Sequence, residues 1–288
     1  MMQPVEFDVV VDGLVMPECP RWHDGRLWFS DIRGQRVYCL DAAHRLTVVH
    51  EFADDEPAGL GWLPNGDLLV AGMVGRVVYR IKDGSAIVHA DLRSAAPHQI
   101  NDMIVTSNGT AFVTQLGFDL DADQPEPKPT EIIAIGPEGD TWTAATGLMV
   151  PNGIAVNATE DRVVVAESGA GQLSSYSLKD QVLSDRIAEI LPATNAFSFC
   201  APDGICLDAD DGRWVADSIN KRVLRVEDNV ITHDYHLGQF VLACVLGGVD
   251  RRSLYVCVAD AWHRSDTHKT STGRIVHISV DAPGAGKP

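Results

Sequence analysis

The chain has 288 residues, 45% of them hydrophobic, and a formal net charge of −17, a length that suits one large core or two ordinary ones. No apolar run approaches the roughly eighteen residues of a membrane span, and the acidic balance excludes nucleic acid and anionic membrane surfaces as partners. The start of the chain has no basic stretch followed by an apolar one, so it reads as cytoplasmic. Six cysteines (Cys19, Cys39, Cys200, Cys206, Cys244 and Cys257) show no CxxC spacing and read as reduced thiols buried as small hydrophobes.

Short segments rich in Val, Leu and aromatic residues run through the whole chain, and no long amphipathic helix interrupts them, which predicts an all-β protein. Six stretches align in order, beginning at Leu27, Leu68, Ala111, Val163, Arg213 and Leu254, with steps of 41, 43, 52, 50 and 41 residues. A tight polar turn precedes each: Asp24-Gly25, Asn65-Gly66, Asn108-Gly109, Glu160-Asp161, Asp211-Gly212 and Asp250-Arg251. Asn-Gly and Asp-Gly supply the positive φ values of hairpins. A repeat of this length built from consecutive hairpins predicts a six-bladed β-propeller with four strands per blade. Residues 5–11 and 274–280 are the natural pair to close the ring, and with no composition shift along the chain, residues 1–288 read as a single domain.

The second strand of each repeat serves as a ruler for the residue that enters the first, innermost strand. Glu18 lies 9 positions before Leu27, Asn101 10 before Ala111, Asn152 11 before Val163 and Asp203 10 before Arg213. The same count places Ala58 and Cys244 in the other two blades. Equivalent slots form a ring at one mouth of the central channel, where acids without a partner meet a desolvation penalty. Asn152-Gly153 and Asp203-Gly204, each after a proline, also make acceptable turns; Glu18, a poor turn former, does not fit that alternative. Four oxygen donors with a formal charge of −2 suit a hard divalent cation, Ca²⁺ first, with Mg²⁺, Mn²⁺ or Zn²⁺ as substitutes.

The run Glu18-Cys19-Pro20-Arg21-Trp22, then Asn101-Asp102, Pro151-Asn152-Gly153 and Pro202-Asp203-Gly204, resembles the senescence marker protein, gluconolactonase and luciferin-regenerating enzyme family over nearly the whole chain. The resemblance implies a six-bladed propeller with one catalytic divalent metal held by Glu18, Asn152 and Asp203, and with Asn101 as a further ligand or substrate contact. It also implies that Asp203 doubles as general base and that the reaction is hydrolysis of a lactone. Two positions depart from the family. Cys19 stands beside a ligand where Gly is usual, and Gln99 stands where sugar-lactone hydrolases carry a substrate-binding Arg, which weighs against aldonolactones.

Strand polarity places the loop after each second strand at the same mouth. Residues 117–130, with Phe118 at the root, and residues 261–273, with Trp262, His263 and His268, are therefore candidate lids and substrate contacts. Phe197 and Phe199 would add an apolar wall, which implies a partly hydrophobic small-molecule substrate. Cys19 is read as a pocket filler, with a nucleophile activated by a base such as His98, or a soft metal ligand, as the alternative. Two other readings of the whole chain stay open: a Lewis-acid isomerase, hydratase or cyclase on the same site, and a propeller scaffold without chemistry. A monomer or small homo-oligomer is expected.

Overall fold

The computed structural model describes residues 5–193, 198–267 and 271–286. Among the described residues twenty-four strands form six four-stranded antiparallel sheets, and one helical turn, Arg264–Thr267, lies between the last two strands. The inner strands are Pro17–His23, Pro57–Trp62, Ile100–Val105, Pro151–Val156, Pro202–Leu207 and Phe240–Gly247. Each touches the next around the circle and the sixth touches the first, so the sheets close into the six-bladed propeller that the repeat predicts. No helix among the described residues is long and apolar enough to cross a membrane.

Burial follows position in the blade. The second strands Leu68–Gly72, Ala111–Gln115 and Arg213–Asp217 are buried at every residue. Neighbouring blades cover both of their faces, which is why they read as continuous apolar runs rather than as an alternation. Outermost strands such as Leu46–Glu51 and Val182–Ile190 are largely exposed and mix apolar with polar residues.

The strand Asp8–Leu14 pairs with Gly273–Ser279 as the outermost member of the sixth sheet, with Val9 opposite Val276 and Val11 opposite Ile275. The closing strand thus starts three residues later than residues 5–11. Its apolar pattern explains the shift, because Val11 and Leu14 enter the core while Val9 stays 48% exposed. At the end of this pairing Gly273 is required: a Cβ there would lie 2.6 Å from the Pro17 ring and 2.8 Å from the Leu14 carbonyl oxygen.

Every inner strand shows a register irregularity just after its first or second residue, between Glu18 and Arg21, Pro57 and Leu60, Ile100 and Met103, Pro151 and Ile154, Pro202 and Ile205, and Val241 and Ala243. A bulge re-aims the side chain it carries. This shared kink positions Glu18, Ala58, Asn101, Asn152 and Asp203 alike. The sixth member is Leu242 rather than Cys244. The hairpin from Leu246 to Leu254 is longer than that from Trp22 to Leu27, so counting back from Leu254 falls two residues short of the slot. Cys244 instead packs between blades, its Sγ 4.0 Å from that of Cys206.

Ile275 is fully buried beside the closing strand. Ile275→Ala should cost about 2–5 kcal/mol in denaturant unfolding, and Val9→Ala within about 0.5 kcal/mol. Equal effects would show that the closing pair is not part of the cooperative core.

Candidate active site

The four polar slot residues line one cavity of about 180 Å³ at a mouth of the channel. Around them the walls are apolar, with Met73, Leu116, Phe118, Leu120, Leu242 and Trp262 prominent. Asn101 Nδ2 donates to Asn152 Oδ1 at 2.7 Å. The side chains of Asn152 and Ser218 stand at the Asp203 carboxyl and favour its charged form, and Asp203 Oδ1 is buried without a partner. Glu18 accepts the Cys19 backbone N–H at 2.8 Å through Oε2.

Burial pushes the Asp203 carboxyl up to about 8, with the nearby charge of Asp102 adding to the rise. Glu18 is likewise held well above the usual carboxylate range, first by burial and then by the charge of Asp203. Two carboxyls are therefore desolvated within each other's field, an arrangement that a shared cation relieves. Beneath them the buried ion pair Arg21–Asp102, with Nη2 to Oδ1 at 2.6 Å, plugs the channel. Asp102 also accepts the Met103 and Ile154 backbone N–H groups, so its charge is locked in place.

A second set of acids, which sequence reasoning missed, positions the site backbone. Asp31 accepts the N–H of Val15 and Met16, Glu167 that of Met149, and Asp217 that of Ala201. Each carboxylate stands at the end of a second strand and fixes the chain two or three residues before Glu18, Asn152 or Asp203. The signal was present in the aligned stretches, three of which end in an acid: Asp31, Glu167 and Asp217.

The two long loops meet over the cavity. Arg33 and Arg264 each bridge Glu56 and Asp121, at 2.8 and 3.0 Å from Arg33 and 2.8 and 3.2 Å from Arg264. This four-membered ionic ring ties the loop of Phe118 and Leu120 to the loop of Trp262. Gln99 does not line the cavity; its Nε2 donates to Asp119 Oδ1 at 2.9 Å and its Oε1 accepts the Leu120 N–H. His263 also stays off the cavity wall, bonded to Ser265 and set edge-on to Trp262. Phe199 is 46% exposed and outside the cavity, while Phe197 and His268 lie outside the described residues.

Cys19 occupies the bulge with φ 47° and is buried below Glu18, away from the cavity wall. Burial, reinforced by the charges of Asp102 and Glu18, pushes its thiol well up, so it is protonated at neutral pH. That state suits a packing residue and opposes a nucleophile. His98 lies near Asp119 of the lid loop instead, whose carboxyl is held low chiefly by the Gln99 hydrogen bond.

Among the described residues no three His, Cys, Asp or Glu side chains gather in a metal cluster. A cation here must use the carboxamides along with the two carboxylates. The donor set fits a hard ion: all-oxygen ligands are available, and Asp203 Oδ1 is an orphaned buried acceptor facing the cavity residues.

The fold and the ordered run of slot residues define a class of propellers with one polar centre at the channel mouth. The chain belongs to the SMP-30/Gluconolactonase/LRE-like family, whose profile matches residues 16–260. It is 26% identical over 304 aligned positions to the pentonolactonase XacC of Haloferax volcanii, covering 96% of this chain and 94% of that protein. Its fold is similar to that of a luciferin-regenerating enzyme, at TM-score 0.80 and 15% identity, covering 98% of both chains. A calcium-binding regucalcin from Agrobacterium tumefaciens is similar at TM-score 0.79 and 17% identity, covering 100% of this chain and 98% of that one.

Asp203 carries the usual carboxyl value of 3.8 when unfolded and about 8 when folded without a cation. Across that window the folded state holds a proton that the unfolded state has lost, so stability falls as pH rises from about 4 to 8. A divalent cation bound here would favour the ionised carboxylates and oppose the fall. Saturating Ca²⁺ should raise Tm by roughly 5–10 °C at pH 8 and much less at pH 5, in calorimetric scans. A calcium shift that is absent, or equal at both values, contradicts the site.

Proposed function

We propose that the chain is a divalent-metal-dependent lactonase that opens a small, partly apolar cyclic ester. The observation that carries this reading is the unpartnered, buried Asp203 Oδ1 beside Glu18 in a mostly apolar cavity. Family membership and the pentonolactonase relative support the reaction class. Glu18, Asn152 and Asp203, with Asn101, would hold the ion, and calcium accepts such a mixed carboxylate and amide set. When bound, the ion polarises the ester carbonyl and keeps both carboxylates ionised.

The chain's own groups do the rest. Asp203, oriented by Asn152 and Ser218, takes a proton from the attacking water as its oxygen bonds to the acyl carbon. The ring C–O bond then breaks, and Asp203 returns the proton to the departing ring oxygen, leaving a hydroxy acid. Asn101 holds Asn152 in the orientation that serves Asp203. Phe118, Leu120 and Trp262 bind the substrate's carbon skeleton and exclude bulk water. Gln99 is turned away to the lid loop, so no cationic side chain replaces the missing Arg among the cavity residues, which favours alkyl lactones over polyhydroxylated ones.

Asp203→Asn should lower kcat/KM for lactone hydrolysis by about 10²–10⁴-fold while Tm holds or rises, since a desolvated carboxyl is removed. Among substrates, alkyl-substituted γ- and δ-lactones should exceed pentonolactone in kcat/KM. Full activity in the variant would sink the mechanism; preference for pentonolactone would sink only the substrate assignment. Solvent ¹⁸O in the product acid separates hydrolysis from rearrangement.

A further inference from the structure

A second, larger cavity of about 540 Å³ opens at the other mouth of the channel, where the inner strands end. Trp22 and His23, Gly61 and Trp62, and Val105 line it from three successive blades, and Arg251 from the sixth-blade hairpin completes the wall. His23 stacks on Trp62 with ring centroids 3.9 Å apart, so one side of the cavity is a rigid aromatic surface.

Arg251 is the anomaly in this wall. Its Nε and Nη2 are buried with no hydrogen-bond partner. Arg33, Arg162 and Arg213 also leave Nε unpartnered, but each spends its charge on an acid, Glu56, Asp211 or Glu189. Among the described residues no such acid meets Arg251. The other arginine in the wall, Arg21, is committed to Asp102. Asp24 on the rim has a solvent-exposed side chain and lies 3.5 Å from His23, and Ser107 is bonded to Glu160. In a chain with net charge −17, carboxylates to pair with are plentiful, yet this guanidinium is left without one.

Arg251 is partly buried and, among the described residues, meets no acid, and that partial burial lowers its pKa. The hairpin holds the residue there: Arg251 has φ 60° and its carbonyl accepts the Gly284 N–H at 2.9 Å. A guanidinium that lines a cavity and meets no acid matches the paired oxygens of a carboxylate or phosphate. We propose that the cavity at this mouth is a second ligand site, which binds a small carboxylate or phosphate anion on Arg251. The site is separated from the Asp203 cavity by the Arg21–Asp102 plug, and it does not depend on the lactonase reading.

The test is calorimetric titration of the protein in calcium-free buffer with inorganic phosphate and, separately, with malonate, so that the two oxyanion classes are distinguished. At least one should bind saturably, about tenfold or more weaker in Arg251→Gln and unchanged in Arg252→Gln, whose exposed side chain already bonds the Asp281 carbonyl. Arg251→Gln should also raise Tm in anion-free buffer, because it removes a partly buried charge that no acid among the described residues compensates. In the wild type, the bound anion should protect Arg251 but not Arg252 from phenylglyoxal, which reads the site without any variant. Absence of binding by both probes up to tens of millimolar, or binding that survives Arg251→Gln undiminished, overturns the proposal; the latter would assign the anion to another site.

Discussion

Closure of the ring is the constraint on which everything else rests. The terminal strands Asp8–Leu14 and Gly273–Ser279 pair within the sixth sheet, and the six inner strands then have no freedom except to share one axis. Because each of those strands carries its irregularity at the same place, the residue it re-aims is repeated around the axis. Residues as far apart in sequence as Glu18 and Asp203 become neighbours through geometry alone. Substituting a polar residue at one slot changes the centre without changing the scaffold, and the two apolar slots, Ala58 and Leu242, leave the remaining four free to act.

The electrostatic consequence is a centre in which desolvated carboxyls are crowded together. Two desolvated carboxyls face each other, and a third, Asp102, lies just beneath with Arg21 as its counterion. Such a cluster persists because the rest of the fold over-determines it. Asp31, Glu167 and Asp217 clamp the incoming backbone, and Asn101, Asn152 and Ser218 fix the side-chain orientation. The lids follow the same logic at a longer range, since the Arg33, Glu56, Asp121 and Arg264 ring joins loops from distant parts of the chain. Ionic networks of this kind hold best when partly buried, as the Arg33 and Glu56 side chains are, at 4% and 6% exposure.

The repeat and the four slots were legible in the sequence because strand length and turn chemistry recur closely enough to serve as a ruler. The ruler failed at Cys244, where a longer hairpin moved the slot to Leu242, and turn length is not encoded by apolar periodicity. The clamping acids could have been found with the same ruler, one strand further on. The roles of Gln99 and His263 were not legible: both were read as substrate contacts and neither lines the cavity, because which way a loop side chain turns depends on partners such as Asp119 and Ser265 that only the folded chain brings together. Arg251 belongs to the same class, a turn residue in sequence whose isolation appears only once its surroundings are assembled.

The central claim is that ring closure builds a single hard-cation centre between Glu18 and Asp203. Anomalous diffraction from a crystal grown with Ca²⁺ or Mn²⁺ tests it most directly. One peak at the channel mouth is predicted, about 2.3–2.6 Å from carboxylate oxygens of Glu18 and Asp203 in the calcium crystal and from the Asn152 amide oxygen, and it should be absent from crystals of Asp203→Asn. A peak elsewhere, or none with the Glu18 and Asp203 carboxyls joined by a shared proton, would contradict the account.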